Sequence, residues 1–201
     1  MNEPSAESFA AALAALRRSE AVVFPTETFY GLGANALDAE AVERVAALKG
    51  RGAESPIAVI VADRAMLAQI VSEIPPAAEK LIARFWPGPL TLVLPAKTGI
   101  PAPLVNAEGK IGARVSSHPT AARLARELGR PLTATSANPS GREPARCIEA
   151  ARAYFEARIG VYLDGGALTG QAASTVAEIS GAEVKILRAG AIAAEELNKW
   201  L

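Results

Sequence analysis

The chain has 201 residues, half of them hydrophobic, with 21 Lys plus Arg balanced by 21 Asp plus Glu. That suits one domain over 1–201 with a sizeable core, and zero net charge leaves only local basic patches to point at nucleic acid. One cysteine, Cys147, and one histidine, His118, argue against a disulfide, a Cys-rich zinc site or a His-based metal centre, so no metal ligands are assigned.

No apolar run reaches transmembrane length. Residues 1–7 are acidic and lack the basic start of a signal peptide, so a cytoplasmic protein is expected. Over 5–18, Phe9, Leu13 and Leu16 fall at helical spacing behind a Ser5 cap. Residues 21–24 read as a short buried strand that stops at Pro25. The loop Pro25-Thr26-Glu27-Thr28-Phe29-Tyr30-Gly31-Leu32-Gly33 follows, dense in hydrogen-bonding side chains and without a hydrophobic period. Its glycines suggest a close backbone approach to something. Asp38 caps a helix to about Leu48, and Lys49 and Arg51 stand at its end. Pro56 opens an unbroken apolar strand over 57–61, the pattern of a strand covered on both faces. Asp63 caps a third helix and Pro75-Pro76 starts a fourth. Trp86-Pro87-Gly88-Pro89 is a rigid turn before a strand over 90–94. Residues 97–110 read as loop, and 111–115 as a strand carrying Arg114. Pro119 begins a helix ended by Gly129, and a strand over 132–135 runs into Ser136-Ala137-Asn138-Pro139-Ser140-Gly141. A helix from Pro144 or Ala145 to about Ala157, strands over 160–163, 174–179 and 184–187, and a helix over 193–200 complete the chain. Early alternation of strands with helices, then strands in succession, predicts an α/β fold: a twisted open sheet of mixed direction with flanking helices.

Candidate sites carry two readings each. Gly31-Leu32-Gly33-Ala34-Asn35-Ala36 matches the dinucleotide pattern in letters, but six residues separate it from the strand and no helix opens on it. Lys49 and Arg51 are either cations at a helix C-terminus, favoured by its dipole, or a phosphate clamp. Arg114 is either on a solvated face or a paired clamp on a carboxylate. Ser136 and Asn138 sit where turn chemistry is a sufficient explanation, or in a site. Cys147, Trp86 and Trp200 read as packing residues, and Glu27 is the one candidate for a general base.

Taken together, these blocks resemble the YrdC family, the threonylcarbamoyl-AMP synthases, over roughly residues 21–192. The matching blocks are the 25–33 loop, Lys-Gly-Arg at 49–51, Trp-Pro-Gly-Pro-Leu-Thr at 86–91, Ala-Arg-Val at 113–115, Thr-Ser-Ala-Asn at 135–138, Ser-Thr-Val at 174–176 and Leu-Arg-Ala-Gly at 187–190. The resemblance implies a YrdC-like fold and a nucleotidyltransferase. It would make threonylcarbamoyl-AMP and pyrophosphate from L-threonine, bicarbonate or CO2, and ATP with Mg2+. Its product would pass to the proteins that complete the threonylcarbamoyladenosine modification of tRNA. By likeness, Lys49, Arg51, Ser136 and Asn138 form the catalytic signature. Thr28, Arg114, Ala134 and Ser174 hold threonine. Arg51, Ser55, Lys110, Ser136, Pro144 and Arg188 line the ATP side. This chain has Gly52 where many relatives have proline, and Ile60 where many have histidine. Two other outcomes fit the same fold: a double-stranded RNA-binding module using Arg123, Arg126, Arg130, Arg142 and Arg146, or a paralogue acting on another carbamoyl or acyl substrate.

Overall fold

The computed structural model describes residues 3–50, 56–170, 172–181 and 183–201. The helices begin where the sequence supplies caps. Ser5 Oγ accepts the N–H of Ser8 at the head of α1 (Ala6–Arg17), and Asp38 does the same for Ala41 in α2 (Ala39–Lys49). Asp63 caps α3 (Arg64–Ile70), Pro76 opens α4 (Pro76–Phe85) and Pro119 opens α5 (Pro119–Leu128). Gly50 and Gly129 end α2 and α5 in the left-handed conformation that glycine tolerates. The sixth helix is shorter than its sequence pattern. α6 spans Ile148–Phe155, because the carbonyls of Ala145 and Arg146 accept from Tyr30 and Leu168 rather than starting a helical ladder. α7 covers Ala194–Asn198.

The expected mixed α/β architecture is present, but the strands form two sheets rather than one. The smaller contains β1 (Val22–Phe24), β2 (Gly31–Gly33), β7 (Thr135–Ser136) and β8 (Val161–Tyr162), in the order β7-β2-β1-β8. The larger contains β3 (Val59–Ile60), β4 (Leu90–Pro95), β5 (Lys110–Arg114), β6 (Leu132–Thr133), β9 (Thr175–Ser180) and β10 (Glu183–Arg188), in the order β10-β9-β4-β5-β3-β6. Both combine parallel and antiparallel pairs.

The two sheets meet along one segment. The strand expected over 132–135 is divided at Ala134 into β6 and β7, and the Ala134 N–H donates to Ala58 O at 2.8 Å, in register with the β3–β6 pairs. β6 pairs with β3 and also bonds the β2 side through Thr133 N to Ala34 O at 2.9 Å, while β7 pairs with β2, so this segment joins the two sheets. β1 packs both ways: Val23 joins the larger core cluster, while Val22 and Phe24 face a second cluster with α1 and α5. All three are fully buried, about 1.5–3 kcal/mol of transfer free energy each. The glycines of β2 serve this packing. A Cβ at Gly33 would sit 2.5 Å from the Phe24 ring, and one at Gly31 would sit 3.0 Å from it. The close approach expected of these glycines is therefore to an aromatic ring of the core.

Candidate active site

A cavity of about 510 Å³ opens between the Ala134 corner, the 26–31 loop and one face of the larger sheet. Ala58, Thr91, Val93, Gly112 and Val176 contribute to that face. Gly112 keeps it low, since a Cβ there would meet Thr91 Cγ2 at 3.2 Å and Ala58 Cβ at 3.5 Å. Lys110, Gly112 and Arg114 fall on the same face of β5, so Lys110 and Arg114 lie about 13 Å apart along the cavity.

Around Arg114 the site is lined with hydroxyls. Arg114 is buried rather than solvated, and its Nε donates to Glu27 Oε1 at 3.1 Å. Thr26 donates to Phe29 O at 2.6 Å and stands 3.1 Å from the Thr28 hydroxyl. With the Thr26 proton committed to that carbonyl, Thr28 donates to Thr26 and offers lone pairs to a ligand. Ser174 Oγ lies 2.9 Å from Thr91 Oγ1 and accepts from Arg188 Nη2 at 3.0 Å. Arg188 also donates to Ser174 O at 2.8 Å. The Ala134 N–H is committed to Ala58, so this residue offers its carbonyl to a ligand.

At the other end, Lys110 Nζ lies 3.0 Å from Glu178 and 3.1 Å from Glu108. Its hydrogen bond to Glu178, then that to Glu108, raises its pKa above the ordinary lysine range. Asn106 beside it was missed by sequence reasoning, which read 97–110 as plain loop. Its Oδ1 accepts from Glu108 N at 3.0 Å and Lys110 N at 2.8 Å, which orients the amide. The signal was an asparagine between two apolar segments, indistinguishable by pattern from any turn asparagine.

Lys49 and Asn138 stand one layer behind the cavity wall. Lys49 is 1 % exposed and its Nζ donates to Ser136 O at 2.6 Å and to the carbonyl of Asn138. Asn138 Oδ1 also accepts from it at 3.2 Å, while Asn138 Nδ2 donates to Pro139 O and Arg142 O. A buried ammonium donating to these oxygens shapes the 136–138 turn. Thr28, Arg114, Ala134, Ser174, Lys110, Ser136, Pro144 and Arg188 all line the cavity. Arg51 and Ser55 lie outside the described residues.

Glycines bring the surrounding loops against the site. A Cβ at Gly165 would fall 2.6 Å from Pro25, and at Gly170 2.5 Å from Thr28 O. Burial pushes the Tyr30 hydroxyl up to about 12, so it stays protonated, donating to Gly166 O at 2.8 Å. His118 is buried, with Nδ1 accepting from Thr120 N and no partner on Nε2 among the described residues; burial lowers its pKa, against a smaller upward pull from Glu27. Trp86 packs as expected, with Nε1 donating to Leu90 O at 2.7 Å. Trp200 does not: it is exposed, with Arg84 4.9 Å from its ring centre. Of the arginines suggested for RNA, Arg123 pairs with Glu127 over the Phe9 ring, and Arg146 lies over Phe29.

Residues 14–190 match the Sua5/YciO/YrdC family model, described as telomere recombination. A Mycobacterium tuberculosis protein provisionally named a threonylcarbamoyl-AMP synthase is 36% identical over 199 residues, 99% of this chain and 91% of that protein. The threonylcarbamoyl-AMP synthase of Bacillus subtilis is 39% identical over 198 residues, 98% of this chain and 56% of that protein. Among solved structures, Pyrococcus abyssi Sua5 complexed with L-threonine superposes with a TM-score of 0.91 at 37% identity. That match covers 96% of this chain and 57% of the Pyrococcus chain.

Proposed function

This chain belongs to the Sua5/YciO/YrdC family, and from that membership we propose that it is an L-threonylcarbamoyladenylate synthase. It joins L-threonine, bicarbonate and ATP into threonylcarbamoyl-AMP, with release of pyrophosphate and water. The observation that carries this reading is the meeting of two chemistries in one cavity. Hydroxyls and the Arg114 guanidinium suit a hydroxy-amino acid at one end, and Ser136, Pro144, Lys110 and Arg188 adjoin them for the nucleotide.

In the proposed reaction the threonine amine captures CO2 as a carbamate. A carbamate oxygen then attacks the ATP α-phosphorus and pyrophosphate leaves. Two anions must approach, so the protein's task is electrostatic. Lys49 acts through the turn it holds, placing Ser136 beside the nucleotide. Arg51 is proposed to clamp the phosphates directly. Among the described residues no cluster of three His, Cys, Asp or Glu side chains could cage a metal. Mg2+ is therefore proposed to arrive on the triphosphate, where it would neutralise phosphate charge. Among the described residues no helix is long and apolar enough to cross a membrane. The product would be consumed by a transfer of its threonylcarbamoyl group to tRNA.

The test is pyrophosphate release from ATP with each amino acid, with and without bicarbonate. Release is expected when L-threonine and bicarbonate are both present, with threonylcarbamoyl-AMP identified by mass. ATP turnover independent of threonine would rule the reading out. Because Thr28 presents an acceptor to a substrate hydroxyl, serine should compete with threonine better than valine does, a missing methyl being worth only about 1–3 kcal/mol.

A further inference from the structure

We propose that Glu27 is a positioning residue for Arg114 and decides along which edge the amino-acid carboxylate is received. This rests on the reading of Arg114 as the group that holds that carboxylate. A guanidinium can meet a carboxylate side-on, through Nε and one terminal nitrogen, or end-on, through both terminal nitrogens. Here the side-on edge is already taken. Glu27 Oε1 accepts from Arg114 Nε at 3.1 Å, with the two side chains only 6% and 12% exposed. The carboxylate is held in turn. Its Oε2 accepts from the Ser116 hydroxyl, and Ser116 Oγ accepts the His118 N–H at 3.2 Å. Glu27 is thereby braced against the chain between β5 and α5.

Arg114 lines the cavity, whereas Glu27 and Ser116 do not. Glu27 is the one protein partner of Arg114 among the described residues, so the two terminal nitrogens remain for a ligand. Bracing through Nε prevents rotation of the guanidinium about its own stem, and a bidentate contact needs that orientation. Glu27 also balances a buried positive charge before substrate arrives. It therefore acts through Arg114.

The test is calorimetric titration of L-threonine and ATP into the wild-type chain, Glu27→Ala, Glu27→Gln and Glu27→Ala in an Arg114→Ala background. Glu27→Ala should weaken L-threonine roughly ten- to a hundredfold, the loss of one charge-assisted bond, and leave ATP affinity unchanged. Glu27→Gln keeps the acceptor and drops the charge, so it should stay within about threefold of wild type. In the Arg114→Ala background, Glu27→Ala should have no further effect. If Glu27→Ala does not fold, Ser116→Ala removes the brace more gently and should weaken L-threonine by a few fold. Unchanged threonine affinity in Glu27→Ala, an equal loss for ATP, or tighter binding in Glu27→Gln overturns the proposal. A wild-type chain that binds L-threonine yet releases no pyrophosphate sinks the synthase reading and leaves Glu27 to be judged by these titrations. A wild-type chain that binds no L-threonine overturns both.

Discussion

Gly190 touches no ligand position, yet its replacement by alanine should damage the site. A Cβ there would lie 2.5 Å from Ala173 O, Ser174 C and Thr175 N, three backbone atoms that cannot swing aside. Reaching an ordinary 3.4 Å contact requires the two segments to part by about 0.9 Å. They are tied by Ala191 N to Ala173 O at 2.9 Å, Ile192 N to Thr175 Oγ1 at 2.9 Å and Thr175 Oγ1 to Ile192 O at 2.6 Å. Stretching three bonds worth about 0.5–1.5 kcal/mol each should cost roughly 2–4 kcal/mol. In a chain of this length that is about 5–15 °C in Tm. Whichever segment moves, Ser174 and Arg188 separate, and both line the cavity. A displacement near 1 Å can cost on the order of 100-fold in rate, so kcat/KM for threonine should fall by about that factor. Thermal melts and pyrophosphate release on Gly190→Ala check both numbers. A variant with wild-type melting and wild-type kcat/KM would refute the claim that backbone contact at Gly190 sets the Ser174–Arg188 geometry.

Lys49→Met keeps the stem but strands the Asn138 carbonyl and leaves Ser136 O with the Asn138 N–H alone. Turnover should drop on the order of 100-fold while threonine affinity, measured by titration, holds, because Arg114 and Thr28 are not bonded to that turn. Asn106→Asp retains the oxygen that orders Glu108 and Lys110 but replaces the amide donors with an acceptor. The ATP KM should rise roughly tenfold with Tm unchanged; an unchanged KM would remove Asn106 from the nucleotide side. His118 is held below its ordinary 6.5 by burial, so above that pH folded and unfolded chains are both neutral there and its contribution to stability is complete. As pH falls, the unfolded chain takes up the proton first, and stability is lost until the folded value is passed. His118→Asn can still cap α5 but cannot titrate, so urea melts at pH 8 and 5.5 should show a smaller acid loss than wild type; equal losses would contradict this.

The local rules of the chain were legible without coordinates. Ser5, Asp38, Asp63 and Pro119 start helices, Gly50 and Gly129 end them, and the run of 21–24 is a buried strand. These signals act within a few residues, where capping bonds and backbone sterics dominate. The residues around the cavity were expected only through the resemblance of widely spaced blocks to the YrdC family, since spacing and residue type left each of them with two readings. What the linear pattern could not decide depended on partners far along the chain. The segment 132–136 bonds β3 through Ala134 and β2 through Thr135, so it joins two sheets that the linear pattern reads as one. Lys49 reads as a helix-terminal cation, but it is buried beneath the 136–138 turn because that turn returns to the end of α2. Arg114 reads as solvated or functional, but is buried against Glu27, 87 residues away. Residue types and short-range spacing determine which elements form, whereas long-range hydrogen bonds and exclusion of water determine which side chains those elements bring together.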